Sequence, residues 1–343
     1  MTVRVGLVGL GMMGTTHFNG YKEIDEADVS ALCDVQVQRL KGDFTGTAGN
    51  IDTGASQRED VSEMKAYEQF DRLLQDQDVD MVDICLPTFL HEEKAVAALK
   101  AGKHVFCEKP MAMTHDQARR MIAAAEEAGK MLMVGQCLRF WPEYVMIKEL
   151  IDSGRYGPVR SAVLRRLGAT PDWSWKSWLT DSAQSGCAVL DLHIHDVDVV
   201  QWYFGKPKEV TCQGSPWPDG GLAHIVAQYG YEDVPVVVAE GGWDLHGKFP
   251  FSMSAQIIFE KATVDYSSAA SPTLTIYEAD GTVRTPEVPE ANAYTEELRY
   301  FARCIESGQA PDRMPNASAA QAVVIAEAEI ASAQAGKCVA IDA

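Results

Sequence analysis

A short apolar run that ends in a glycine-rich turn limits the folds open to this chain more than any other stretch. The run Val3 to Val8 leads into Gly9, Gly11 and Gly14, which form a Gly-x-Gly-x-x-Gly pattern. When a buried strand passes through such a turn into a helix, the free N–H groups of the helix point back at the turn and bind a pyrophosphate. The pattern therefore predicts a strand, a dinucleotide-binding turn and a helix over Met12 to Tyr21.

The three glycines have separate physical roles in this prediction. Gly9 makes the tight turn, Gly11 lets the backbone approach the ligand, and Gly14 lets the helix pack closely on the strand. A second apolar run, Val29 to Cys33, ends in Asp34, where the pattern requires a carboxylate for the ribose hydroxyls. Because no Arg or Lys follows Asp34 closely, NAD is favoured over NADP. An ordinary glycine-rich turn is the alternative.

The length and composition of the chain indicate a globular protein of two domains. Its 343 residues are many for a single core, and 46% of them are hydrophobic and 23% charged. The formal charge of −19 disfavours nucleic acid and anionic membranes as partners. Met1 leads into the first strand without a signal-like segment, so a cytoplasmic protein is expected. The eight cysteines are scattered singly and are expected to be reduced.

Short apolar strands and helices alternate up to about residue 136. This alternation predicts an α/β domain over residues 1–136 with a doubly wound parallel sheet, whose ligands lie outside the carboxyl ends of the strands. Strand-like runs separated by turn residues then predict a second, α+β domain over residues 137–343 with a mostly antiparallel sheet. The segments that follow the strands of the first domain are expected to share one rim: Gly9 to Gly14, Asp34, Pro87 to His91, Glu108 to Pro110 and Gly135 to Arg139.

Three local predictions concern the first domain. Val35 to Leu40 is expected to begin a helix, and the Gly, Thr, Ser and Asp content of Thr45 to Ser62 indicates an extended surface loop. Thr114 is expected to cap a helix that runs to Ala128 and ends at Gly129.

An acid–base pattern stands out in the second domain. Asp191, His195 and Asp198 are spaced i, i+4 and i+7, which puts them on one face of a helix predicted near Asp191 to Phe204. A carboxylate one turn from a histidine can fix its tautomer and stabilise its protonated form, as a general base requires. A salt bridge on the helix surface is the alternative. His193 falls on the opposite face, which favours a buried structural residue over a zinc ligand, so no metal site is predicted.

Two further side chains are candidates for contact with a substrate. Lys109 directly follows a predicted strand, where it could hydrogen-bond a hydroxyl group and favour the alkoxide as hydride leaves. A surface lysine paired with Glu108 is the alternative. Trp178 is expected to stack on a sugar ring, with core or interface packing as the other interpretation.

Four motifs follow one another along the chain, namely Gly9-Leu10-Gly11-Met12-Met13-Gly14, Pro87-Thr88-Phe89-Leu90-His91, Glu108-Lys109-Pro110 and Asp191-x-x-x-His195-x-x-Asp198. Through these motifs the chain resembles the glucose-fructose oxidoreductase / inositol dehydrogenase / rhizopine catabolism (Gfo/Idh/MocA) family along essentially its whole length. The resemblance implies a Rossmann domain followed by an open-faced antiparallel sheet that builds dimers or tetramers. It also implies oxidation of a secondary hydroxyl of a sugar, polyol or related compound with NAD or NADP.

The resemblance also assigns roles to single residues. Lys109 matches the lysine that contacts nicotinamide and substrate, His195 the proton-transfer residue, and Asp191 its carboxylate partner. Arg139 and Glu143 match a segment that lines the substrate. The implied substrate residues are Lys109, Arg139, Trp178, Asp191 and His195. The implied cofactor residues are Gly9, Gly11, Met12, Met13, Gly14, Asp34, Pro87, Thr88, His91, Glu108, Lys109 and Gln136.

The chain departs from the family pattern at two positions. Thr88 stands where asparagine is common, and its hydroxyl can still hydrogen-bond the cofactor. His193 stands where a small residue is usual, which alters the expected shape of the pocket. Late in the chain, Tyr294 matches a segment that returns to the cofactor pocket.

The resulting hypothesis is an NAD-dependent dehydrogenase of a cyclic sugar, sugar acid or polyol, with its chemistry at the domain junction. His195 removes the hydroxyl proton, Asp191 supports the imidazolium, and Lys109 polarises the oxygen. A glycosidase that keeps NAD bound and oxidises its sugar only transiently is one alternative. A non-catalytic dinucleotide-binding regulator is another, which the presence of all three residues disfavours. A homodimer or homotetramer is expected.

Overall fold

The computed structural model describes residues 2–51 and 57–342 and divides into two compact units. The first unit contains Met1–Cys137, Trp173–Trp178 and Asn292–Ala320, and the second contains Leu138–Asp172, Leu179–Ala291 and Gln321–Ala343. The first segment of the first unit therefore ends at Cys137, one residue after the predicted domain border at residue 136. The predicted second domain over residues 137–343 differs from this division, because two later segments pack with the first unit. One of them contributes Phe301, whose ring lies 6.0 Å from that of Phe106.

The described residues contain fifteen strands and nine α-helices, besides short 3₁₀ and π-helical turns. The strands are β1 (Val3–Val8), β2 (Ala27–Cys33), β3 (Lys65–Tyr67), β4 (Met81–Ile84), β5 (His104–Glu108), β6 (Leu132–Gly135), β7 (Val159–Ala169), β8 (Glu209–Pro216), β9 (Leu222–Gly230), β10 (Val236–Leu245), β11 (Ser252–Phe259), β12 (Ala262–Ser267), β13 (Leu274–Glu278), β14 (Val283–Arg284) and β15 (Val339–Ala340). The helices are α1 (Met12–Tyr21), α2 (Phe70–Leu74), α3 (His91–Lys100), α4 (His115–Ala128), α5 (Pro142–Ser153), α6 (Ser182–Ser185), α7 (Ile194–Phe204), α8 (Ala293–Ser307) and α9 (Asn316–Ala335).

The first unit is built on a six-stranded sheet in the order β3-β2-β1-β4-β5-β6, and all of its pairings are parallel. Strands β1 and β4, at the centre of the sheet, are mostly apolar and almost entirely buried, as parallel strands covered by helices require. The strand order changes direction between β1 and β4. In such sheets a ligand binds outside the carboxyl ends of the strands at this switch point. The predicted fold class is confirmed.

The segment after β2 differs from the prediction. Only a short 3₁₀ turn, Arg39–Lys41, forms where a helix was expected, because Val35 and Val37 stay exposed and no apolar face is available to stabilise one. Phe44, which immediately precedes the predicted surface loop, is buried and packs edge-on against Phe18 at 5.2 Å. Residues 52–56 of that loop lie outside the described residues.

The predicted ends of α4 are confirmed. The Thr114 hydroxyl accepts from the N–H of Gln117, and the Gln117 side chain accepts from the N–H of Thr114, which together form a capping box. Gly129 ends the helix in the left-handed conformation.

The second unit is built on a nine-stranded sheet in the order β14-β13-β12-β11-β7-β10-β9-β8-β15. The pairing of β7 with β10 is parallel and the other pairings are antiparallel, so the sheet is mostly antiparallel as expected. Side chains alternate between buried and more exposed along β9 and β11, which gives the sheet one covered face. Helix α7 packs against β7 and β10 on that face.

The helix predicted near Asp191 begins differently from the prediction. A π-helical turn, Val189–His193, precedes α7 and packs on β9 and β10. A π-helical turn holds one more residue than an α-helical turn, so the 3.6-residue spacing assumed from the sequence does not run unbroken through Asp191.

The remaining sequence expectations concern cysteines and membranes. The eight cysteines are free thiols, and most of them are buried. Among the described residues, no helix combines the length and the apolar character that crossing a bilayer requires.

His104 is expected to make the protein less stable in acid. Burial, with help from the charge of Lys130, lowers the pKa of His104 from about 6.5 to about 4, and its Nδ1 accepts a hydrogen bond from the N–H of Met131, which needs the neutral ring. Between these pH values the unfolded chain binds the proton more readily, so stability falls as the pH drops from 6.5 to 4. A His104→Asn variant should lose less of its unfolding free energy over this window in urea titrations. Equal pH dependence of the two proteins would contradict the prediction.

Candidate active site

The glycine-rich turn joins β1 to α1 as the sequence predicts. Gly9 has a φ of +85°, and a Cβ atom at Gly14 would lie 1.8 Å from the Gly9 carbonyl oxygen. Gly11 is exposed, and a Cβ atom built there would meet nothing within 4 Å. Met12 and Met13 follow, both half-buried, in the first turn of α1. The close approach at Gly14 and the open space at Gly11 fit a pyrophosphate group bound at the turn.

Asp34 ties the end of β2 to this turn. One of its carboxylate oxygens accepts from the N–H of Leu10 at 2.7 Å, and the other accepts from the N–H of Gln36 at 2.7 Å. Each carboxylate oxygen has a further lone pair, so the half-buried side chain can still accept from ribose hydroxyls.

Two buried side chains that follow strands of the first sheet have polar atoms that find no hydrogen-bond partner within the described part of the chain. They are Thr88, through its hydroxyl oxygen, and Gln136, through its amide oxygen, and each side chain is 2% exposed. Thr88 follows β4 after the half-buried Pro87, and Gln136 follows β6. Buried polar atoms are almost always satisfied in native proteins, so these two fit a ligand that supplies the missing bonds.

The ring of His91, a residue predicted to bind the cofactor, contacts the backbone of two loops. Its ring is buried, with Nδ1 2.8 Å from the carbonyl oxygen of Pro110 and Nε2 2.7 Å from that of Leu86. Both ring nitrogens are thereby committed to the backbone. The His91 side chain therefore links the loop that follows β4 to the loop that follows β5.

Glu108 and Lys109 stand at the carboxyl end of β5 with different exposure. The buried Glu108 carboxylate accepts from the N–H of Lys109 at 3.0 Å, and its other oxygen lies 3.1 Å from Nε2 of His17. Lys109 is half-buried. Glu108 therefore faces the interior of the unit and fixes the backbone that carries Lys109.

A buried polar cluster under this rim was missed in the sequence. His17 Nδ1 lies 2.9 Å from the Asp83 carboxylate, which also accepts from the Tyr21 hydroxyl at 2.9 Å. Glu297 of α8 is fully buried nearby, and within the described chain neither of its oxygens has a hydrogen-bond partner. Burial raises the pKa of Glu297 well above its usual value. The cluster contacts Glu108 through His17. Its signal in the sequence was the presence of two polar residues in otherwise apolar elements, namely His17 after Gly14 and Asp83 within β4.

Ligand-type atoms in this cluster are close enough to hold a metal ion in two overlapping groups. One consists of His17, Asp83 and Cys85, and the other of His17, Glu108 and Glu297. His17 Nδ1 is already hydrogen-bonded to the Asp83 carboxylate at 2.9 Å, and Nε2 lies 3.1 Å from the Glu108 carboxylate without forming a hydrogen bond.

In the second unit, Asp191 and His195 share one property. From residue 188 to residue 198 every other side chain is buried, and these two alone are partly exposed. The predicted pair is therefore the point at which this otherwise buried segment reaches solvent.

Asp198 does not belong with the exposed pair, contrary to the predicted common face. It is fully buried and binds the guanidinium of Arg139 through two hydrogen bonds, of 2.7 and 2.8 Å. Asp196 forms a comparable buried pair with Arg166. Arg139, expected to line the substrate, is 3% exposed and is held in the core of its unit by this ion pair.

The other expected substrate residues are placed as follows. Glu143 is buried and accepts from the Thr273 hydroxyl at 2.8 Å. Trp178 is half-buried and belongs to the segment Trp173–Trp178 of the first unit. Tyr294 is half-buried in the first turn of α8, also in the first unit.

Two family models match successive parts of the chain. Residues 3–136 match a model described as an oxidoreductase family with an NAD-binding Rossmann fold, and residues 144–265 match the C-terminal domain model of the same family. The chain belongs to the Gfo/Idh/MocA oxidoreductase family. The resemblance inferred from the four motifs is confirmed, and with it the identification of the chain as an oxidoreductase with an NAD-binding domain.

The named proteins to which the chain is similar differ in their reactions. The chain is 28% identical over 323 residues to the myo-inositol 2-dehydrogenase of Thermotoga maritima, and the matched region covers 90% of each protein. It is 36% identical over 164 residues to the 2,7-anhydro-N-acetylneuraminate hydratase of Escherichia coli, and this match covers 48% of the chain and 42% of that protein. Its fold matches that of a levoglucosan dehydrogenase solved with NADH and levoglucosan, with a TM-score of 0.83 and 20% identity over 100% of both chains.

Proposed function

We propose that the chain is an NAD-dependent dehydrogenase that oxidises a secondary hydroxyl of a sugar, sugar acid or cyclic polyol. The observation that carries the proposal is the exposure of Asp191 and His195, a potential acid–base pair, in a segment that is otherwise buried. The full-length similarity to a myo-inositol 2-dehydrogenase supports a polyhydroxylated substrate.

Each of the three proposed catalytic residues has one task in this reaction. When bound, the dinucleotide supplies the hydride acceptor. A ring nitrogen of His195 accepts the hydroxyl proton, and the negative charge of Asp191 stabilises the imidazolium that results. The ammonium group of Lys109 stabilises the negative charge that develops on the oxygen. Positioning of the hydroxyl group is expected to contribute more than proton transfer, which supplies about 10²- to 10⁴-fold.

The cofactor is proposed to be NAD rather than NADP. The Asp34 carboxylate is oriented by two backbone N–H groups, so its negative charge is fixed where ribose hydroxyls bind. A 2′-phosphate at that place would be repelled, and residues 35–38 carry no positive charge to offset the repulsion.

A substrate panel tests the proposal directly. Inositols, sugars and sugar acids are incubated with the purified protein and either NAD or NADP, and the absorbance of the reduced nicotinamide is recorded. Reduction of NAD by at least one alcohol, with NADP used less well, is the expected result. A protein that binds NAD but reduces none of it and converts no member of the panel would contradict the proposal.

A second candidate is a reaction in which oxidation is only transient. The similarity to a hydratase favours it, because the addition of water involves no net oxidation. The same panel separates the two candidates when the products are also analysed by chromatography. A changed sugar without accumulation of NADH, together with nucleotide released on denaturation, would favour the transient reaction, whether as a hydratase or as a glycosidase.

Self-association is also proposed. Large apolar side chains are exposed along strands of the second sheet, namely Val226, Val236, Ile258 and Tyr277. Exposed apolar groups on a sheet favour association, which supports a homodimer or homotetramer.

A further inference from the structure

Three buried side chains meet behind the helix segment that carries Asp191 and His195. His193 Nε2 lies 3.4 Å from Oε1 of Glu329 on α9 and 3.4 Å from the hydroxyl oxygen of Tyr229 on β9. The Tyr229 hydroxyl donates a hydrogen bond of 2.5 Å to the same oxygen of Glu329. His193 and Glu329 are fully buried and Tyr229 is 3% exposed. We call these three residues the His193 cluster.

The charges around His193 favour its protonated form. Burial alone lowers the pKa of His193, but the Glu329 carboxylate, assisted by Asp196, raises it above the usual value, and Arg166 opposes them. A buried carboxylate is stable only when it is paired and hydrogen-bonded. The His193 ring lies next to the Glu329 carboxyl group, and Tyr229 supplies the hydrogen bond. The cluster is thus a fixed link between the π-helical turn, α9 and β9.

Gly241 on β10 gives His193 the space that it occupies. A Cβ atom at Gly241 would lie 2.7 Å from Nδ1 and 2.8 Å from Cβ of His193. A small residue on the sheet is therefore matched to a large residue in the turn. The His193 side chain is held on one side by the backbone of β10 and on the other by its two polar partners.

The position of His193 in the chain relates this link to the exposed pair. His193 is the last residue of the π-helical turn Val189–His193, with Asp191 inside the turn and His195 in the first turn of α7. A π-helical turn contains about one residue more than an α-helical turn, and one residue corresponds to a rotation of about 100° around an α-helix. If the turn relaxed to a regular α-helix, Asp191 would therefore rotate by about 100° relative to His195. The π-helical turn therefore sets which direction Asp191 faces.

We propose that His193 is a positioning residue whose contacts with Glu329 and Tyr229 hold the π-helical turn, so that Asp191 and His195 are exposed together. It does not touch the substrate, because it is fully buried. This inference rests on the proposed function, in which Asp191 and His195 transfer the proton.

Kinetics of conservative variants test the proposal. His193→Ala is expected to lower kcat by about 10²-fold through misplacement of the pair, while KM for NAD stays within twofold. His193→Gln should recover part of the loss, because its amide N–H can still donate to Glu329. Glu329→Gln and Tyr229→Phe keep the shape of the cluster and should give intermediate losses. The matched controls Glu327→Gln, an exposed position on α9, and Tyr231→Phe, whose hydroxyl donates to Gly205, should leave kcat unchanged.

A measurement without turnover separates this proposal from the proposed function. Histidines labelled with ¹³C at Cε1 are followed by NMR across pH, and the His195 signal is identified by its absence in His195→Gln. Glu329→Gln is expected to shift the titration midpoint of His195, whether or not the panel contains the substrate. An unchanged His195 titration in Glu329→Gln would overturn the proposal. So would losses of thermal stability in the cluster variants without a fall in kcat.

Discussion

A His195→Asn variant is expected to lose about 10²- to 10⁴-fold in kcat, since asparagine cannot accept the hydroxyl proton. The affinity for NAD, measured through tryptophan fluorescence, should remain close to that of the parent, because the glycine-rich turn belongs to the first unit and His195 to the second. An Asp191→Asn/His195→Asn double variant should be little worse than His195→Asn alone, because a carboxylate that acts through a histidine has no effect once the histidine is gone.

A matched control exists for this experiment. His224 on β9 also lies between carboxylates, with Nδ1 2.9 Å from Asp244 and Nε2 3.1 Å from Glu240. His224→Asn should leave kcat unchanged, because this histidine has no role in the proposed reaction. If His195→Asn kept its turnover within a few-fold of the parent, His195 could not be the proton acceptor, and the assignment would be wrong whatever the control showed.

The sequence was sufficient for the fold because its strongest signals are local. The Gly9 turn, the Thr114 cap and the alternation of apolar runs each depend on a few neighbouring residues, and each is found where it was predicted. The return of α8 to the first unit had no such local signal and was implied only by the family resemblance at Tyr294. It depends on long-range packing, such as the contact of Phe301 with Phe106, that has no local signature.

The candidate site was less predictable because partners distant in sequence decide how each polar side chain is used. Asp191 and Asp198 look equivalent in the i, i+7 pattern, yet Arg139 draws Asp198 into the core of its unit. The ring nitrogens of His91 lie at the carbonyl groups of Leu86 and Pro110, contacts that the sequence did not predict. The π-helical turn was invisible to a periodicity argument, since it breaks the period on which that argument depends.

Arg139→Met is expected to lower the free energy of unfolding by about 3–5 kcal/mol, because it leaves the buried Asp198 carboxylate without its charged partner. The side chains of the pair are 4% and 1% exposed, and Asp198 has one further hydrogen bond, from the Gln201 amide at 3.2 Å. That amide cannot replace a guanidinium that makes two hydrogen bonds and carries the opposite charge. Urea titration of the parent and the variant measures the difference.

Arg165→Met provides the control, since it is the same substitution in the same unit at an exposed ion pair with Glu240, and it should cost less than about 1 kcal/mol. An Arg139→Met/Asp198→Leu double variant should recover much of the stability, because it removes the uncompensated charge as well.

The same variants decide the role of Arg139. A large loss of stability in Arg139→Met, restored in the double variant, identifies a structural ion pair. If Arg139→Met instead left the free energy of unfolding unchanged and raised KM for the substrate, Arg139 would contact the substrate, as the sequence implied.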